Sequence, residues 1–111
     1  MNFLEIFITF PDLASAERVA RLLVEQRLAA CVNIFPGIRS VYRWDNQVQT
    51  DTEVLAFIKS SEELLDPLVA TVRAHHPYQV PAITAFRADY LPEEVRHWLG
   101  QSLLSEASSR D

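Results

Sequence analysis

The side chains best suited to chemistry fall together at His75 and His76, which are followed at once by Pro77, Tyr78, Gln79, Val80 and Pro81. Imidazole is the commonest protein ligand for copper and zinc, so the pair reads as a candidate metal site. Adjacency complicates it. Consecutive side chains point about 100° apart on a helix and to opposite faces of a strand, so one ion held by both needs unusual geometry or a second subunit. A structural reading stands beside the metal one: one histidine ends a helix, helped by the helix dipole, and the other faces solvent. Neither lies on an apolar stripe. Cys31, the one cysteine, could supply a soft thiolate, but in an apolar stretch a free cysteine behaves as a small buried hydrophobe. Lys59, the only lysine, could neutralise an anionic ligand or a carboxylate. Tyr42 and Trp44 flank Arg43, where aromatics suit a binding platform or a subunit contact. Glu62, Glu63, Glu93 and Glu94 fall in first turns of helices, where the dipole favours negative charge, and read as structural. No phosphate-binding glycine loop, metalloprotease helix pair, nucleophile elbow or cysteine-pair zinc motif is present, and no catalytic residue is assigned.

The elements that must position these groups are readable from periodicity. Phe3 to Phe10 alternates, with Leu4, Ile6, Ile8 and Phe10 on one strongly apolar face of a strand. Pro11 ends it, and Asp12 or Ser15 can cap a helix whose Ala16, Val19, Ala20 and Leu23 recur at helical spacing as far as Arg27. Cys31 to Trp44 and Val48 to Lys59 read as a hairpin turning at Asp45 and Asn46, with a bend at Pro36 and Gly37. Ser60 with Glu63 forms a capping-box pattern ahead of Leu64, Leu65, Leu68, Val69 and Val72. With Asp66 as cap, Pro67 becomes the first residue of the main second helix. Pro77 disfavours helix at His76, Ile83 to Ala88 supplies a last strand, and Pro92 starts a short helix carrying Val95, Trp98 and Leu99. The order predicts an α+β chain: a ferredoxin-like split βαβ sandwich with a long hairpin between its second and third strands and a short C-terminal helix.

Composition bounds the class. The 111 residues are one ordinary domain, read as 1–104, with a polar tail at 105–111 that is expected to fray. Hydrophobic residues make up 49% and glycines number two, which excludes low-complexity and collagen-like chains. A net charge of -5 argues against nucleic acid as a partner, which needs a basic surface. Apolar runs are far shorter than the roughly 18 residues of a membrane span, and a lone cysteine excludes an internal disulfide, so a reducing cytoplasm is the expected location. One arm of the hairpin, about 14 residues long, would reach about 45 Å, against a radius of gyration of about 13 Å for a globule of this size. The hairpin must bend or project. Together with Phe7, Phe35, Phe57 and Phe86 on the open sheet face, a projecting hairpin predicts self-association with closed symmetry.

Several motifs resemble one family. Arg27-Leu28-Ala29-Ala30-Cys31-Val32-Asn33, the Pro36-Gly37 bend, Ser40-Val41-Tyr42-Arg43-Trp44 and His76-Pro77-Tyr78-Gln79-Val80-Pro81 are similar, in this order, to the CutA divalent-cation tolerance proteins. The resemblance implies a cytosolic homotrimer of ferredoxin-like subunits, similar to the PII signalling proteins, with a role in tolerance to copper or another divalent cation. It implies copper ligands at His75 and His76, whereas Ile8 stands where such members carry a strand-one cysteine, and Gln79 and Ala82 stand at glutamate positions. It also places Tyr42, Trp44, Lys59, His76 and Tyr78 along an intersubunit cleft. Two readings follow: a metal-binding or metal-responsive trimer, and a PII-like sensor holding a small anion between subunits through Lys59 and Arg43. An enzyme with His76 as general base is a third.

Overall fold

The computed structural model describes residues 2–104, and the tail expected at 105–111 lies outside the described residues. The elements run β1 (Phe3–Phe10), α1 (Leu13–Glu25), β2 (Cys31–Trp44), β3 (Gln47–Ser61), a 3-10 turn (Glu62–Leu64), α2 (Leu65–His75), β4 (Ile83–Arg87) and α3 (Glu93–Ser102). The sheet order is β2-β3-β1-β4 with every neighbouring pair antiparallel, which is the ferredoxin-like topology expected from the element order. The apolar face of β1 is buried as its alternation requires: Ile6 and Ile8 are fully covered, against Val19 and Leu23 of α1 and Leu68 and Val72 of α2 in the same core. Leu99 brings α3 onto that core.

Local signals explain the ends. Asp12 caps α1 by accepting the Ser15 N–H at 2.8 Å. Arg27 takes a left-handed conformation after α1, and its guanidinium donates to the Ser102 carbonyl at 3.2 Å and to Gln101 O, satisfying the free carbonyls at the end of α3. The capping box does not form. Ser60 instead stays in β3, which runs on to Ser61 because Phe3 pairs with it, and the buried Ser60 hydroxyl donates to Leu28 O at 2.6 Å. Asp66 is likewise no cap: α2 begins at Leu65, so Pro67 is its third residue, still within the turn whose N–H groups have no helical partner.

The hairpin projects. β1 ends where Phe10 pairs with Val54, yet β2 and β3 stay paired as far as Trp44 and Gln47, so the outer hairpin has no β1 beside it. Its tip, Asp45 and Asn46, has φ of 53° and 63°, the left-handed pair that closes a two-residue hairpin with the twist of its strands. The expected bend is a register shift between Phe35 and Ile38, with Gly37 at φ 78°. The chain extends 46 Å along its long axis against 23 Å along its short one. On the open face Phe7 lies 3.9 Å from Phe57 and 5.3 Å from Phe86 between ring centroids, and Phe35 and Phe86 remain about half exposed at 48% and 54%.

Candidate functional site

Pro77 stops α2, so His76 leaves the helix with extended backbone, and its ring turns inward to β1. The Nδ1 atom accepts the Tyr78 N–H at 2.9 Å, and Nε2 lies 2.8 Å from Thr9 O. A nitrogen that accepts carries no proton, so the proton sits on Nε2 and is donated to the carbonyl. The ring stacks on Phe10 at 4.4 Å and is 8% exposed. Burial holds its pKa below the ordinary histidine value, against smaller opposing effects of the Thr9 carbonyl and the Glu53 carboxylate. The imidazole is therefore neutral at neutral pH. His75, one residue earlier, is exposed. Of the structural reading of the pair, the solvent-facing member is His75, whereas the His76 ring does not cap the helix end but is buried with both nitrogens committed to Thr9 and Tyr78.

Tyr78 carries the arrangement onward. Its hydroxyl donates to Glu53 Oε2 at 2.6 Å, and Glu53 is itself buried, at the root of the projecting hairpin opposite Ile38. Burial first, then the bond to Glu53, pushes the Tyr78 phenol well above its usual pKa. Further out, Tyr42 donates to Asp51, whose bond raises the Tyr42 pKa. Glu53 and Asp51 are the members that sequence reasoning passed over; their signal was two carboxylates at period two on a strand, on the side where Tyr42 would stand.

The remaining expected residues lie elsewhere. Lys59 sits in the middle of the sheet with its ammonium on Glu5, at 2.9 and 3.1 Å, directly across the β1–β3 ladder. Cys31, opposite Lys59 on β2, is partly exposed beside Asn33 and so is corrected from a buried packing residue. Trp44 is 62% exposed at the hairpin tip, opposite Gln47. At about 3.3 Å per residue, Lys59 and Gln47 stand about 40 Å apart along β3, so one chain does not bring Lys59, Tyr78 and Trp44 into a common cleft. Two shallow grooves of about 420 and 410 Å³, one between α1 and β2 and one between α2 and β4, contain none of these residues.

Within one chain the donors do not fit a copper or zinc site. His76 has no free nitrogen, His75 is a single exposed imidazole, and among the described residues no three histidine, cysteine or carboxylate side chains come together to hold an ion.

The family model for "CutA1 divalent ion tolerance protein" matches residues 4–102, nearly all of the described chain. The chain belongs to that family. It is 41% identical over 97 residues to the divalent-cation tolerance protein CutA of Thermus thermophilus, covering 87% of this chain and 94% of the relative. It is 40% identical over 97 residues to the chloroplastic CutA protein of Arabidopsis thaliana, of which it spans about half, 53%. Among solved structures, the crystal structure of CutA1 from Oryza sativa superposes with a TM-score of 0.90 at 40% identity, covering 93% of this chain and 94% of that one. The likeness to this structure and to the Thermus thermophilus one, with a TM-score of 0.89, supports the ferredoxin-like sandwich with its short C-terminal helix.

Proposed function

We propose that this chain serves tolerance of, or response to, divalent cations, that copper is the cation to test first, and that it works as a homotrimer. The observation that carries the reading is the family match across residues 4–102, together with 41% identity to a divalent-cation tolerance protein matched over 94% of its length. Three features support the assembly: the aromatic row on the open face, the exposed strand edges of the outer hairpin, and the separation along β3 of residues that a cleft would need to combine. A second chain could bring a neighbour's hairpin tip toward Lys59. The anion-sensing alternative draws less support, because Glu5 already neutralises the Lys59 ammonium and the tyrosines face Asp51 and Glu53, which repel anions.

The test is genetic and quantitative. Deleting the gene in the source cell should lower the copper concentration that halts growth, and restoring the chain should recover it. Unchanged tolerance to copper, zinc, cobalt and cadmium alike would overturn the reading.

A further inference from the structure

We propose that His76 is a positioning residue and not a metal ligand: its neutral imidazole ties the segment after α2 to β1 and thereby holds the Tyr78 hydroxyl on Glu53. A metal ion takes an in-plane lone pair of an imidazole nitrogen, and a neutral ring has one such pair. In His76 that pair is on Nδ1, and the Tyr78 N–H points at it from 2.9 Å; the proton on the other nitrogen is held by Thr9 O at 2.8 Å. Ligation through either atom would leave a partly buried backbone N–H or carbonyl without a partner. Turning the ring outward would also break its stack on Phe10, where the two planes lie within 21°. The Glu53 carboxylate, which acts electrostatically on His76, is no more available, since it is buried under the Tyr78 hydroxyl.

The positioning role follows from what else holds this segment. Residues 77–81 belong to no helix or strand, so no backbone ladder fixes them. The Tyr78 N–H to Nδ1 bond instead makes the imidazole a substitute acceptor, set two residues back and anchored across the molecule on β1. Once the Tyr78 backbone is fixed there, its phenol reaches Glu53, the first β3 residue beyond the Phe10–Val54 pair. His76 thus connects the end of α2 to the root of the projecting hairpin. The inference uses only bonds within the chain, so it stands or falls separately from the cation role.

Nuclear magnetic resonance of the isotope-labelled full chain tests it. The side-chain nitrogen spectrum should show His76 as the Nε2–H tautomer, and its nitrogen shifts should stay unchanged when zinc chloride is added in excess. An Nδ1–H tautomer, or a zinc-induced shift of either His76 nitrogen, would overturn the proposal. Two variants test the positioning part. His76→Gln keeps one donor and one acceptor without an imidazole, whereas His76→Ala keeps neither. The Tyr78 amide should remain protected from hydrogen exchange in the wild type and in His76→Gln, and exchange about tenfold faster or more in His76→Ala. Protection retained in His76→Ala, or lost equally in both variants, counts against it. If His76→Ala does not fold, the wild-type tautomer and zinc response still decide.

Discussion

Asp12, one of the two caps that the sequence offered for α1, is settled by a local contact, while the role of His76 is not legible in the sequence. The Asp12 cap is local: its carboxylate meets the Ser15 N–H three residues on, and the pairing of a cap residue with an amphipathic run was visible as such. The partner of His76 is the Thr9 carbonyl, 67 residues away, and no spacing within the chain announces a contact of that kind. The histidine pair drew attention for its chemistry, and the structure separates its members by burial. Asp12 also carries a prediction with a definite sign. Bonds to the Ser15 backbone and hydroxyl hold its folded pKa below 3.8, so the folded state binds the proton less readily than the unfolded chain. Its stabilising contribution is therefore complete above pH 3.8 and disappears as pH falls through the lowered folded value. Asp12→Ala should lower the unfolding midpoint at neutral pH, and the gap from wild type should close as the solution is acidified past that value. Asp12→Asn, which keeps an acceptor but cannot titrate, should hold a constant advantage over alanine. Denaturant titrations across the pH range check this, and a gap that widens in acid would sink it.

The elements themselves were largely legible, and the exceptions share a cause. Strand β1, helix α1 and the hairpin follow from alternation, helical spacing and an Asp-Asn turn, all of them local patterns. The bend at Pro36 and Gly37 was legible too, because neither residue suits a regular central strand. The start of α2 was misread. A serine followed three residues later by glutamate signals a helix start only if the strand has already ended, and pairing of Phe3 with Ser61 keeps β3 running past Ser60. Pairing across a sheet overrides a local cap, and it is not visible in the local sequence. At the bend, Gly37 has φ 78°, yet a Cβ added there would meet nothing within 4 Å. Any cost of Gly37→Ala therefore comes from the backbone conformation alone, about 1 kcal/mol by equilibrium unfolding. A loss several times larger would mean that the added methyl meets packing at the bend, contrary to this geometry.

At the scale of the whole molecule, the unresolved matter for a single chain is the open sheet face. Phe57 lies at its centre, with Phe7 at 3.9 Å and Phe35 at 5.6 Å between centroids, and Phe35 and Phe86 stay about half exposed. An apolar row of this kind, beside a hairpin with unpaired edges, is unfavourable in water and is relieved when copies of the chain cover one another. If three chains fold as they assemble, unfolding releases three particles from one, and mass action makes the apparent stability depend on concentration. A hundredfold increase in protein should then add roughly 2 kcal/mol per chain, seen as a higher midpoint in heat or denaturant. Light scattering on the same samples should give the mass of three chains. Phe57→Glu separates this from trivial causes. A carboxylate on an open monomer face would be solvated and cost little, whereas one buried at the centre of an assembly would lie among aromatic rings, with the neighbouring Lys59 ammonium already paired to Glu5. The variant should therefore scatter as a smaller species and lose the concentration dependence of its midpoint. A wild-type midpoint that stays fixed over that concentration range, with unfolding shown to be reversible, would rule out an assembly on which folding depends.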